Sequence, residues 1–217
     1  AQRMHHRHLA RTIAHAALSL SALAGSAQAA SEPSFDPDEF YIAGLTHEGS
    51  GCGDGSVSFN ITPDAGQLTI LIGEFMVDSG QTSKCQLDLQ LHVPKGWTFA
   101  PVAAELLGHS NLAANSRSSQ SLAMLLNGRR PVTLAAHTWK GPLRSDYRIH
   151  DTPPSELWQP CAPNSSNEQT IKLSLISTAE VQGSKSYLRG LLIDGELRQR
   201  LKLAWRRCHP SADPSKP

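Results

Sequence analysis

Four glycines, at positions 49, 51, 53 and 55, alternate with Ser50, Cys52 and Asp54. That is the composition of a loop that cradles phosphates, but the context argues against one. A Walker-type loop ends in Gly-Lys-Ser/Thr so that the lysine reaches the phosphates, and no lysine lies between Gly49 and Phe59. A dinucleotide fingerprint follows a strand and opens a helix; here a Ser/Pro/acid-rich segment precedes and a strand-like run, Val57 to Ile61, follows. A second stretch, Gly108-His109-Ser110-Asn111-Leu112, approaches a Gly-x-Ser-x-Gly nucleophile elbow. Leu112 stands where that strained turn needs its last glycine.

Paired carboxylates would suit glycoside hydrolysis, and Glu74, Asp78, Asp88, Glu105, Asp146 and Asp151 are available. Nothing in their spacing sets two of them across a cleft. His47, His92, His109, His137, His150 and His209 are scattered without an H-x-H or H-x-x-x-H pair, so the sequence calls for no metal. It calls for no cofactor either. The last basic run is more suggestive. Arg198, Arg200, Lys202 and Arg206 share one face of a strand pattern, a ladder with steps of about 6.5–7 Å. Such a ladder suits an anionic polymer or surface, or simply solvates an outer face and blocks edge association. Trp97, Trp139 and Trp158 lie near turns, where they stack on sugars or cover the ends of a core.

The chain begins with a basic segment (Arg3, His5, His6, Arg7, His8, Arg11), an Ala/Leu-rich run from Ile13 to Ala24, and Ala27-Gln28-Ala29. These are the three parts of a secretory signal peptide, expected over residues 1–29. The apolar run falls short of the roughly 20 residues of a membrane-spanning helix. Without that segment the 217-residue chain keeps 17 of its 20 basic residues and all 19 acids. The formal charge of +1 then becomes about −2, which carries no nucleic-acid signal. Residues 30–48 read as an arm, 49–208 as one domain, and 209–217 as a polar tail.

Cys52, Cys85, Cys161 and Cys208 are isolated from one another, unlike the paired cysteines of a zinc site. In an exported chain an even count reads as two disulfides. Three connectivities are open. Cys52–Cys85 with Cys161–Cys208 is favoured because each bond closes a moderate loop.

Those residues need a scaffold, and the pattern is strand-like. Cys85, Leu87, Leu89, Leu91 and Val93 alternate with Gln86, Asp88, Gln90 and His92, a strand with one wet face. Val57-Phe59-Ile61, Leu68 to Ile72, and Ile171-Leu173-Leu175 repeat the theme. Asp194-Gly195 signals a hairpin before a strand in which Leu197, Leu201, Leu203 and Trp205 share a face. Cys208 falls off that inward parity, so the strand ends or bulges before it. Residues 103–126 fit neither period well and read equally as helix. Short strands between turns, without βαβ alternation, predict an all-β, antiparallel sandwich with little helix beyond the signal peptide.

Five stretches in order resemble a known family. They are "GSGCGDGSVSFN", "KCQLDLQLHVPKGWTFAP", Gly141-Pro142 followed by Tyr147, Trp158-Gln-Pro-Cys161, and "LKLAWRRC". The chain resembles, from about Gly49 to Cys208, the secreted-protein family named "domain of unknown function 4360". The resemblance implies a secreted, disulfide-bearing β domain and an extended rather than helical middle. It brings no established activity and no catalytic residues. The expected function is a secreted, extracellular or cell-surface, non-catalytic protein. It would bind a glycan, an anionic surface polymer or a protein partner. The rival is a secreted polysaccharide hydrolase with a carboxylate pair assembled by the fold. Asn60-Ile61-Thr62 and Asn164-Ser165-Ser166 are glycosylation sequons.

Overall fold

The structure, a computed structural model, describes residues 34–126, 130–153, 157–161, 169–191 and 193–208. The expected signal peptide, the tail and the Asn164 sequon lie outside the described residues. A short 3-10 turn, Pro37–Glu39, precedes twelve strands: β1 Tyr41–Glu48, β2 Val57–Ile61, β3 Gln67–Ile72, β4 Met76–Asp78, β5 Thr82–Val93 and β6 Trp97–Leu112, then β7 Arg117–Leu126, β8 Val132–Lys140, β9 Leu143–Asp151, β10 Gln169–Gln182, β11 Tyr187–Arg189 and β12 Leu197–Arg207.

The strands form two antiparallel sheets. The small sheet runs β1-β5-β10-β7-β8, and the large sheet runs β2-β3-β12-β6-β11-β4 with β9 on the other side of β6. The alternation in β5 fixes its inner face: Cys85, Leu87, Leu89, Leu91 and Val93 are all buried. They join Leu68, Ile70 and Ile72 of β3, Leu106 of β6 and Leu197 and Leu201 of β12 in one core. Fully burying a Leu or Ile side chain contributes roughly 1.5–3 kcal/mol, so this shared inner surface holds the sandwich together.

Three sequence readings meet their test in the fold. Residues 103–126, which the local pattern left between strand and helix and the family resemblance made extended, are strand throughout β6 and β7 apart from the turn at 113–116. Register explains it: β6 and β7 each pair with a strand on either side, so tertiary pairing overrides the helical propensity of Ala and Leu. The presumed arm ends earlier than residue 48. Tyr41–Glu48 is the edge strand β1, paired with β5 and bulged between Ile42 and Gly44. An edge strand with no fully buried residue has no clean alternation to read. Phe40, just before it, is buried against Phe99 and Trp205, as an anchor for the arm requires.

The third reading concerns Asp194-Gly195. It is no hairpin. β11 pairs with residues 109–111 of β6, and β12 pairs with residues 97–107 of the same strand in the same direction. The two are one interrupted strand. The loop between them leaves and returns at a neck pinched by the Leu191 amide donating to the Glu196 carbonyl, 2.9 Å. A turn dipeptide marks a reversal, but an excursion that reverses twice carries the same dipeptide.

Both disulfides follow the favoured pairing. Cys52–Cys85 spans 5.4 Å between Cα atoms and Cys161–Cys208 spans 5.8 Å. The glycine-rich loop serves the first bond. Gly49 has φ +120°, and a Cβ there would meet the Lys84 carbonyl oxygen at 2.1 Å. The Gly51 amide donates to that same oxygen. The glycines let the β1–β2 connection lie against the β5 backbone beside the bridge. β12 ends at Arg207, and the Cys208 amide donates to the Gly96 carbonyl, so the second cysteine pairs just past the strand.

Candidate functional site

The wet face of β5 becomes the middle of the small sheet's outer surface. Register places Thr46, Asp88, Ser174 and Leu125 in one row across β1, β5, β10 and β7. The next row holds Gly44, Gln90 and Lys172. Together these residues line an open groove of about 520 Å³, within the range of small-ligand sites. Asp88 is held in place: it accepts from the Ser174 hydroxyl and from Gln86 Nε2 at 3.3 and 3.4 Å. Gly44 lies across from Gln90, where a Cβ would be in ordinary contact with the carboxamide at 3.4 Å. Lys172 is exposed and makes no ion pair among the described residues.

One row further along, Tyr41 lies flat on His92, with ring centroids 4.6 Å apart and planes 10° from parallel. The His92 Nδ1–H donates to the Glu39 carbonyl oxygen at 2.7 Å, which fixes the imidazole under the phenol. Tyr41 stays 48% exposed. The aromatic platform lies on the same face as a carboxylate, an amide, an ammonium and hydroxyls, groups that can contact a polyol. Ring faces take the C–H surface and the polar groups take the hydroxyls.

The basic ladder lies on the opposite, large-sheet surface. Arg198 donates to Asp194 at 2.7 Å and sits 3.8 Å from Glu196. Arg200 reaches Glu105 at 3.4 Å, and Glu105 also faces His150 at 3.3 Å and Arg148 at 3.9 Å. Lys202 is exposed, and the Arg206 guanidinium lies 4.1 Å above the Trp158 ring. Two of the four cations therefore meet acids of their own surface, and one covers an aromatic ring.

The six carboxylates of the hydrolase reading do not converge on the groove, where Asp88 is the single acid. Glu105 lies on the large-sheet face. Asp146 holds His109 Nδ1 at 2.8 Å, and Asp151 accepts from the Ala136 amide. Ser110 is fully buried, whereas its neighbour His109 turns toward Asp146 on the other side of β6. The tryptophans cover ends and seams: Trp97 packs on Phe35, Trp139 on Tyr147, and Trp158 under Arg206. Among the described residues no three His, Cys, Asp or Glu side chains gather as metal ligands.

Sequence reasoning recognised Asp88, Gln90 and His92 as a wet face but gave them no role. Thr46, Gly44 and Tyr41 escaped it because the strand that carries them was read as an arm. The signal was present in the alternation of β5, and only the pairing partners were missing.

Among known proteins the chain is similar to an uncharacterized secreted protein of Arthroderma benhamiae. It is 29% identical over 182 residues, covering 80% of this chain and 74% of the relative. Two solved structures are carbohydrate-binding modules. TmCBM27, studied for specific mannan recognition, has a TM-score of 0.35 and 8% identity, with 79% of this chain and 90% of that chain covered. TmCBM61, solved with β-1,4-galactotriose, has a TM-score of 0.28 and 10% identity, with 77% and 90% covered. At those scores neither likeness carries an argument about a ligand. The family match is of another kind: a model described as "Domain of unknown function (DUF4360)" fits residues 38–208 and so spans every described strand, and the chain belongs to that family.

Proposed function

We propose that this protein is a secreted, non-catalytic β-sandwich that binds a neutral glycan on the outer face of its small sheet. The observation that carries the reading is the groove at Asp88. An oriented carboxylate, Gln90, Lys172 and Ser174 line one groove on the face that also carries the Tyr41–His92 platform. One acid and one base in the groove offset each other, which favours a ligand without charge. The groove is open among the described residues, and an exposed strand face also suits a polymer. Secretion is supported by the signal-peptide pattern, by the two disulfides, and by the secreted relative.

The test is retention of the purified protein on a panel of neutral and acidic polysaccharides at low and high salt. Retention by a neutral polymer at both salt levels fits the reading. Retention by acidic polymers alone, lost as salt screens it, moves the binding surface to exposed charge such as Lys202. Release of reducing ends from any polymer would replace the binding role with a hydrolytic one.

A further inference from the structure

We propose that Asn60 is an N-glycosylation site and that its glycan guards the otherwise unprotected edge of the large sheet. An edge strand offers unpaired backbone groups to any other strand, and proteins blunt such edges with charges, prolines, bulges, short length or a cover. The other edges among the described strands do so, β9 through Arg144, Asp146, Arg148 and Asp151. β1 carries a bulge between Ile42 and Gly44 and ends in His47 and Glu48. β4 has only three residues, one of them Asp78. On β8, the Ala136 amide is taken by the Asp151 carboxylate of β9. Among the described residues β2 has none of these. Val-Ser-Phe-Asn-Ile contains no charge and no proline, pairs with β3 without a register break, and leaves Phe59 43% exposed. It joins high β propensity to low charge, the composition that promotes strand-to-strand aggregation.

The same five residues carry the first two residues of an Asn-Ile-Thr sequon. Asn60 is exposed, and its side chain makes no hydrogen bond among the described residues. Register puts it on the outer surface at the end of the row Asn60–Thr69–Arg200–Glu105. The fold therefore accepts a bulky substituent there without displacing anything. The small-sheet groove lies on the other side of the sandwich and stays open.

In the reaction, a lipid-diphosphate-linked oligosaccharide is the donor. The Asn60 Nδ2 forms the new bond to the sugar's anomeric carbon, and the bond from that carbon to the diphosphate oxygen breaks. The lipid diphosphate leaves with the electron pair, and the amide gives up one proton. Transfer precedes folding, so the later hydrogen bond from the Thr62 hydroxyl to Asp64 does not hinder it.

The experiment is secretion of the full chain from a glycosylating eukaryotic host, alongside Asn60→Gln and Asn164→Gln. The Asn164→Gln protein should still lose one glycan unit of mass on endoglycosidase treatment, and Asn60→Gln should abolish that unit. Recovery of Asn60 unmodified would overturn the site. Size-exclusion profiles across concentration test the guard. The enzymatically deglycosylated protein should self-associate where the glycosylated form is monomeric, and Ser58→Lys, which charges the same edge, should restore the monomer. A deglycosylated protein that stays monomeric at every concentration would overturn the guarding role.

Discussion

The Tyr147 hydroxyl on β9 donates a hydrogen bond to the Gln120 side-chain oxygen on β7, so one side-chain pair joins the two sheets through the core. Gln199 of β12 and Ser177 of β10 make a second such link. Burial pushes the Tyr147 pKa above its ordinary value of 10, the Gln120 bond opposing it, and the hydroxyl remains a donor. Gly108 makes room for it, since a Cβ there would meet the Tyr147 oxygen at 2.4 Å. Removing the hydroxyl leaves Gln120 buried with an unmet acceptor, at a cost of about 1–3 kcal/mol. Tyr147→Phe should lower the urea midpoint, with an unchanged m-value, so that the shift multiplied by m equals that loss. An unchanged midpoint would mean that the link adds no net stability.

The Cys52–Cys85 bond closes a separation of 33 residues and Cys161–Cys208 one of 47. Each should contribute about 3–4 kcal/mol through the unfolded chain. Replacing both members of the first pair with alanine should cost that much and also free the glycine-rich connection from β5. Thiol titration of the denatured, unreduced protein should find none; about two per chain would contradict the bonding.

Asp64 supplies a pH dependence whose sign can be worked out. The Thr62 hydroxyl, and then the Gly66 amide, hold its carboxyl below the ordinary value of 3.8. The folded state therefore prefers the ionised form. The turn's contribution is complete above about pH 4 and fades as pH falls through the lower folded-state value. Asp64→Asn should be less stable than the parent at neutral pH, with the difference shrinking in acid. A difference that grows on acidification would reverse the assignment.

Arg200 meets Glu105 across β12 and β6. Arg200→Glu would set two carboxylates side by side on that face, costing up to about 1 kcal/mol. The loss should be smaller in high salt. Affinity for a neutral glycan should not change, because the groove lies on the other sheet.

How much of this could be read beforehand varied with the strength of the local pattern. β5 was legible from Cys85 to Val93, with the strand starting three residues earlier at Thr82, because one face is buried and the other mostly wet. The disulfide pairs were legible from loop size and redox compartment. β6 and β7 were not, since Ala-, Leu- and Ser-rich strands in the middle of sheets are set by their neighbours. The Asp194-Gly195 excursion misled because a dipeptide reports a turn, not what flanks it. The groove needed the register of four strands: Gly44, Gln90 and Lys172 are far apart in sequence and meet only in the sheet.

The central claim is that Asp88 and its row hold a neutral glycan. Calorimetric titration of the retained polysaccharide's oligomers into the parent, Asp88→Ala and Gln90→Ala proteins tests it most directly. A hydrogen bond to a charged group contributes about 1.5–3 kcal/mol. Asp88→Ala should therefore weaken binding roughly tenfold or more. Gln90→Ala should weaken it less, and the parent's affinity should hold from about 0.05 to 0.5 M salt. Equal affinity in all three proteins, or no heat with any oligomer, would contradict the account.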